Sequence, residues 1–201
     1  METTLALLLP LLLLSSCRGE DGYLKNKITP HFTVLERNQG VEKREYEPTT
    51  WLRTKVTSTK SSDFVDANHQ LKTFVQDAQK TTKGLDNLDK TWPVLINHTR
   101  ENQLWLCWFV PPGVQLSHGS SSVELFNLPT SIFYVRKFTG TPSVENGNEN
   151  SKELLSSLGR SCPNLDLVEY SGAGYDHFIS LVHHNEVWIN QNSNCADAVK
   201  H

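Results

Sequence analysis

Two adjacent histidines, His183 and His184, lie between two apolar runs near the C-terminal end of the chain. Neutral imidazole nitrogens bind transition metals, so the pair is a candidate ligand set, with His177 as a possible third member. The flanking runs, residues 178–182 and 187–189, have the composition of strands, and the residues between them suit a hairpin link. Side chains at a hairpin tip point into water, and a strand would hold His177 and His183 apart. We therefore interpret the pair as part of a turn and not as a metal site.

Motifs of known enzyme chemistry are missing from the sequence. It contains no G-x-S-x-G, no H-E-x-x-H and no glycine-rich phosphate loop. The formal net charge is −3, and Lys and Arg form no basic block. Because binding to nucleic acid needs a concentrated cationic face, nucleic acid is not an expected partner. The sequence predicts a protein that binds a ligand or a partner and has no catalytic activity.

The first 17 residues have the pattern of a secretory signal peptide. A leucine-rich run, residues 5–14, is too short to span a bilayer and is followed by the small residues Ser15 and Ser16. The stretch Leu14–Cys17 also resembles a bacterial lipoprotein box, which ranks second because no Lys or Arg precedes it. We expect residues 18–201 to form a single secreted domain without membrane insertion.

Two further features are consistent with an oxidising, extracellular environment. Asn97-His98-Thr99 is an acceptor triplet for N-glycosylation, so we predict a glycan on Asn97. Cleavage after Cys17 would leave three cysteines, Cys107, Cys162 and Cys195. Sequence leaves their pairing open, but a disulfide between Cys162 and Cys195 would fix the C-terminal tail, and this is the pairing that we predict.

Alternating apolar and polar residues dominate the rest of the chain. They predict strands over residues 32–36, 50–56, 92–96, 104–110, 131–138 and 165–170. Two segments have helical periodicity instead, residues 62–79 and residues 149–158, and the second ends at Gly159. Residues 140–150 have the composition of a loop.

A weak internal repeat organises these elements. Val41-x-x-Arg44-x-Tyr46 matches Phe133-x-x-Arg136-x-Phe138, and each copy precedes one of the two helices. We infer a strand–helix–strand–strand unit that is used twice. Two such units could close a barrel and cover it with the two helices, which gives an α+β fold with a pseudo-twofold repeat.

Four stretches in the same order resemble the SOUL haem-binding protein family. Gly-Ala-Gly-Tyr-Asp at 172–176 followed by Asn-Glu-Val-Trp at 185–188 resembles its C-terminal signature. The other resemblances are the stretches 44–51, 91–94 and 134–138. Together they extend over about residues 31–191. The resemblance implies a distorted antiparallel β-barrel flanked by two helices, built from a pseudo-twofold repeat.

The resemblance also implies a function, which is non-covalent binding of haem or another tetrapyrrole. Family members are not established as enzymes, so this chain is expected to be a secreted carrier or scavenger. The main alternative is an extracellular protein-interaction module that kept the barrel and lost haem binding. Glu45 favours that alternative, because some members have a histidine proposed as an iron ligand at this position.

Residue-by-residue matching to the family places a candidate haem site on the first helix and the last hairpin. Val65 and Ile179 occupy positions where other members hold the propionates with basic residues. His69 lies four residues after Val65 and shares its helical face, with Lys72 at the border. A neutral imidazole beside a lysine could ligate iron while the lysine pairs with a propionate. His69 is therefore the predicted iron ligand, and Val65, Lys72 and Ile179 are the predicted haem contacts.

The tryptophans are a second group that could contact a flat macrocycle. Trp51, Trp105, Trp108 and Trp188 lie on different predicted strands. Large aromatic side chains also fill the core of a small β-domain, and this is the role we expect for them. In residues 104–110 both faces of the strand are apolar, which predicts a strand covered on both sides.

Overall fold

The computed structural model describes residues 22–80, 85, 88–116, 119–161, 168–177, 179–193 and 196–197. Its helices are α1 (Ser61–Gln79) and α2 (Val144–Ser157), with short 3-10 turns at Gly22–Leu24 and Leu88–Lys90. Its strands are β1 (Phe32–Asn38), β2 (Val41–Tyr46), β3 (Thr49–Val56), β4 (Val94–His98), β5 (Leu104–Val110), β6 (Glu124–Leu128), β7 (Ser131–Thr139), β8 (Arg160–Ser161), β9 (Tyr170–Gly174), β10 (His184–Asn190) and β11 (Ala196–Asp197).

Nine strands form one antiparallel sheet in the order β1-β2-β7-β10-β9-β4-β5-β3-β6, and β8 pairs separately with β11. The α+β class is as predicted, but the sheet is open and does not close into the expected barrel. Its two edge strands explain why. β1 carries a register shift between Val34 and Glu36. Both edge strands, β1 and β6, expose most of their side chains. A bulge and exposed charged residues such as Arg37 are features that keep an edge strand unpaired.

The two copies of the sequence repeat lie side by side in this sheet. β2 carries the first copy and pairs with β7, which carries the second, so that Arg44 lies opposite Phe133 and Val41 opposite Arg136. The twofold relation between the two halves of the chain stays a prediction.

Helix α1 forms where the sequence predicted it and packs on one face of the sheet. Its buried residues Ala67, Leu71 and Val75 recur at helical spacing, so one stripe faces the sheet. That stripe packs against buried side chains of β3 and β5, including Leu52 and Trp108. In the described part of the chain, neither helix is long and apolar enough to cross a membrane.

Helix α2 is longer than predicted and begins inside the segment that was expected to be a loop. The Ser143 hydroxyl accepts a hydrogen bond from the backbone N–H of Asn146 and caps the first turn. Leu154 and Leu155 are buried against β10 and anchor the helix to the sheet. The prediction of a loop over 140–150 was therefore wrong, whereas the predicted end at Gly159 agrees with its φ of 63°.

A cluster of mostly aromatic side chains covers the sheet face opposite the helices. Its buried members are Tyr46, Trp51, Leu95, Cys107, Phe109, Phe133, Val135, Ala173, Tyr175 and Trp188. Strand β5 contributes to both faces, as predicted, because Cys107 and Phe109 belong to this cluster while Trp108 packs toward α1. The expected role of the tryptophans in the core is confirmed for Trp51, Trp108 and Trp188, each at most 6% exposed.

The stretch around the two adjacent histidines differs from the predicted hairpin. Residues 179–183 form no strand, and β10 begins at His184, which pairs with Thr139. His183 is 9% exposed and does not point into water. Ile179 and Leu181 are instead fully or almost fully exposed, at 89% and 102%. Phe178 lies outside the described residues, and the other apolar residues that suggested a strand are on the surface of a loop.

Candidate functional site

A buried ion pair joins β2 to β10 beneath the aromatic cluster. Arg44 and Glu186 are both 0% exposed. The guanidinium holds the carboxylate through two contacts, Nη2 to Oε1 at 2.8 Å and Nη1 to Oε2 at 3.1 Å. The Arg44 Nε also donates to Glu42 at 2.7 Å, and its Nη1 donates to the Tyr46 hydroxyl at 3.1 Å. A buried charge pair needs such complete hydrogen bonding to offset its desolvation.

Three aromatic side chains complete the shell of Glu186. The Tyr175 hydroxyl donates to Oε2 at 2.8 Å, the Trp188 Nε1 to Oε2 at 2.7 Å and the Tyr23 hydroxyl to Oε1 at 2.5 Å. Burial raises the pKa of Tyr175 well above its ordinary value, and the charge of Glu186 adds to the effect. The hydroxyl therefore stays protonated and keeps donating.

This buried cluster gathers residues from two of the four stretches that carried the sequence resemblance. Arg44 and Tyr46 come from the first motif, Tyr175 from the Gly-Ala-Gly-Tyr-Asp motif, and Glu186 and Trp188 from the last motif. All of them are buried and hydrogen-bonded to one another, so none is exposed to a ligand. These motif residues therefore form a structural network that ties β2 to β10 across β7, which lies between them in the sheet.

Glu42 extends the network to the surface. Its carboxylate accepts from Lys137 at 2.8 Å and from Arg37 at 3.1 Å, in addition to Arg44. Burial alone would raise its pKa, but the hydrogen bond from Lys137 and the charge of Arg44 outweigh that effect and lower the pKa of Glu42 to about 2. The carboxylate is therefore ionised throughout the physiological range.

A second polar group lies at the start of β10. The Asp176 carboxylate accepts from the His184 backbone N–H at 2.6 Å and contacts the His184 Nδ1 at 3.0 Å. Lys27 contacts the other oxygen of Asp176 at 3.2 Å and also donates to the Tyr175 carbonyl. The Tyr23 ring stacks on the His184 ring, with centroids 4.9 Å apart and planes 6° apart. Sequence reasoning missed this group, because its members come from segments far apart in the chain.

The predicted haem contacts lie on the surface. On α1, His69 and Lys72 are exposed and Val65 is 67% exposed, so the three share the outer face that the helical spacing predicted. Ile179 lies in the exposed loop before β10. No hydrogen bond joins the His69 ring to another residue in the described part of the chain. The role of these four residues in binding stays a prediction.

Two small cavities border the sheet. One, of about 90 Å³, lies beside α1 and is lined by Lys72, Gln76, Asp89 and Trp108 among others. The other, of about 70 Å³, lies near Lys43. Pockets that enclose a small-molecule ligand typically measure roughly 300–1,000 Å³. Neither cavity can enclose a tetrapyrrole.

Of the residues tied to secretion, the structure describes Asn97 and Cys107. Residues 1–17, Cys162 and Cys195 lie outside the described residues, and Cys107 is a buried free thiol. Asn97 is half-buried on β4, where its side-chain amide donates to the Ser171 hydroxyl at 3.2 Å. A glycan on Asn97 would be attached to this same nitrogen, which would keep one N–H. Signal peptide, disulfide and glycan all remain predictions.

Comparison with protein families gives one match, which covers most of the chain. The family model described as SOUL heme-binding protein matches residues 28–190. No curated protein matches the sequence.

Comparison with solved structures gives distant matches in fold. The EcmrR C-terminal domain is 12% identical with a TM-score of 0.54, and the match covers 75% of this chain and 95% of that one. The EcmrR chain in a complex with DNA is also 12% identical, with a TM-score of 0.53 and coverage of 74% of this chain. This chain spans only 56% of the length of that EcmrR chain. Identities this low show a shared fold and nothing about a shared ligand.

Proposed function

Because the chain belongs to the SOUL haem-binding protein family, we propose that it binds haem or a related tetrapyrrole non-covalently, as a secreted carrier or scavenger without catalytic activity. The observation that carries the proposal is the family match over residues 28–190. Haem would supply a metal centre and a large flat apolar surface. The chain would supply apolar contacts, a cation for the propionates and a ligand for the iron.

Exposed apolar side chains support binding at the surface. Val65 on α1 is 67% exposed, and Ile179, Leu181 and Val182 in the loop before β10 are 60% exposed or more. Exposed apolar patches commonly mark sites of binding, because covering them removes apolar surface from water. His69 and Lys72 lie on the same outer face of α1 as Val65 and could contact the iron and a propionate.

A titration monitored by tryptophan fluorescence tests the proposal. The chain has five tryptophans, which a bound tetrapyrrole would quench. Addition of ferric haem, and separately of metal-free protoporphyrin IX, is expected to quench the emission saturably at one equivalent. Linear quenching by both compounds, with no saturation, would contradict tetrapyrrole binding. Free tryptophan titrated in the same way is the control for absorption of the exciting light.

The second candidate function is an extracellular protein-interaction module. The same exposed loop residues favour it, since protein partners also cover apolar patches. It also agrees with the size of the two cavities, neither of which can enclose a tetrapyrrole. In the titration, this function gives no saturable quenching by either tetrapyrrole.

Processing in a secreting eukaryotic cell is expected to leave a mature chain that begins near Arg18. Intact-mass measurement before and after removal of N-glycans is expected to show the loss of residues 1–17 and one glycan on Asn97. A Gln at position 97 in place of Asn should abolish the glycan without changing the start of the chain. Recovery of the protein in the cytosol with Met1 retained would contradict secretion.

A disulfide between Cys162 and Cys195 is the expected pairing. Their neighbours in sequence, Ser161 and Ala196, are directly paired across β8 and β11. A disulfide beside this strand pair would fix the C-terminal tail to the rest of the chain. Peptide mapping without reduction should recover Cys162 and Cys195 in one linked peptide. Recovery of either residue as a free thiol or joined to Cys107 would contradict the pairing.

A further inference from the structure

His184 contacts a single carboxylate through both its backbone and its ring. Asp176 Oδ2 accepts from the His184 backbone N–H at 2.6 Å and lies 3.0 Å from the ring Nδ1. The stacked Tyr23 ring, with its centroid 4.9 Å away, fixes the plane of the imidazole. Tyr23 is in turn anchored through its hydroxyl to the fully buried Glu186. The ring therefore has little freedom to rotate.

The same contacts decide which nitrogen carries the proton in the neutral ring. The Asp176 carboxylate is surrounded by donors, because Oδ2 accepts from the His184 backbone N–H at 2.6 Å and the Lys27 Nζ lies 3.2 Å from Oδ1. An ionised carboxylate only accepts hydrogen bonds, so Nδ1 must donate. The lone pair of the neutral imidazole is then on Nε2. A carboxylate that holds the far nitrogen is the usual arrangement behind a histidine that ligates a metal.

The second ring nitrogen, Nε2, is the atom left for a ligand. The His184 side chain is 40% exposed, and its Nε2 hydrogen-bonds to none of the residues that the structure describes. The loop that leads into His184 exposes Ile179, Leu181 and Val182, which could pack against a flat apolar ring. Lys27, beside Asp176, places a cation at the same end of the sheet.

We propose that His184, through Nε2, is the ligand for the iron of a haem bound beside this loop, with Asp176 as its positioning residue. The inference rests on the proposed tetrapyrrole binding and moves the iron ligand from α1 to β10. No group of three or more His, Cys, Asp or Glu side chains that could hold a metal ion occurs among the described residues. A haem iron needs no such group, because the macrocycle supplies four nitrogens and one imidazole completes the site.

The test compares ferric haem with metal-free protoporphyrin IX on the wild type, His184→Ala and His69→Ala. Loss of a residue that only positions a metal ligand typically lowers metal affinity about 10- to 100-fold. Loss of the iron ligand itself should therefore weaken haem binding by His184→Ala at least about tenfold. Binding of protoporphyrin IX should not change, because it has no iron, and this also verifies that the variant is folded. The iron–imidazole stretch in the resonance Raman spectrum of the chemically reduced, ferrous complex should disappear in His184→Ala and return on addition of free imidazole. His69→Ala should behave like the wild type.

The positioning role of Asp176 is tested by the frequency of the iron–imidazole band. In Asp176→Asn the iron–imidazole band should persist at a lower frequency, because an amide makes the imidazole less basic than a carboxylate does. A purely structural role for Asp176 would leave the frequency unchanged.

Three outcomes would overturn the inference. An iron–imidazole band that persists in His184→Ala would exclude His184 as the ligand. Loss of the band only in His69→Ala would assign the ligand to α1. Either result would leave the proposed function in place. A wild type that binds neither haem nor protoporphyrin IX would overturn the inference together with the proposed function.

Discussion

Replacing Arg44 with methionine is expected to lower the free energy of unfolding by about 3–5 kcal/mol, the loss that follows when one partner of a buried ion pair is removed. The carboxylate of Glu186 is 0% exposed, so the substitution leaves a charge that water cannot reach. The hydrogen bonds from Tyr23, Tyr175 and Trp188 would remain but carry no compensating charge. Urea unfolding monitored by tryptophan fluorescence measures the effect.

Arg37→Met is the matched control for this substitution. Arg37 contacts the same network through Glu42 at 3.1 Å, but its side chain is 45% exposed. Solvent screens such a pair, and its loss is expected to cost at most about 1 kcal/mol. Equal losses for the two variants would show that burial of Arg44 does not dominate its contribution.

Acidification is expected to destabilise the fold through Glu42. Its pKa is about 2 in the folded chain against an ordinary value of 4.5. A carboxyl whose pKa is lowered by folding contributes stability above its unfolded pKa, and this contribution disappears as the pH falls from 4.5 toward 2. The difference in pKa corresponds to about 3 kcal/mol. Free energies of unfolding measured across this range should fall accordingly in the wild type.

Glu42→Gln isolates this contribution, because other carboxyls titrate in the same range. The variant is expected to be less stable than the wild type at neutral pH and to approach it near pH 2. Glu124→Gln is the control, since Glu124 pairs with Arg53 at 3.0 Å but is 52% exposed. A constant difference between wild type and Glu42→Gln at all pH values would contradict the lowered pKa.

The spacing of apolar residues in the sequence correctly predicted elements that bury either one face or both faces. Helix α1 buries a single stripe and strand β5 is buried on both faces, so sequence alone located both. Helix α2 begins with Val144-Glu-Asn-Gly, residues that look like a loop because no apolar stripe marks them. The Ser143 cap and the packing of Leu154 determine where that helix begins, and both depend on tertiary structure.

The loop before β10 shows the opposite error. Ile179, Leu181 and Val182 suggested a strand because apolar residues are usually buried, but here they are exposed. This error also misplaced His184, which was assigned to a turn. The contact between Asp176 and His184 depends on how that loop returns to the sheet, and no spacing in the sequence encodes it. The buried network around Arg44 was not predicted, because the sequence placed Glu186 in a hairpin link and gave no sign that Arg44 and Glu186 meet.

The most direct measurement of tetrapyrrole binding is native mass spectrometry of the purified chain mixed with an equimolar amount of ferric haem. We expect a complex of one chain and one haem that releases the haem on denaturation, since the binding is non-covalent. Addition of an excess of apomyoglobin to the complex should remove the haem slowly, which distinguishes a bound haem from one adsorbed by chance. Detection of the haem-free chain alone at equimolar haem would contradict the proposed function and favour the interaction module.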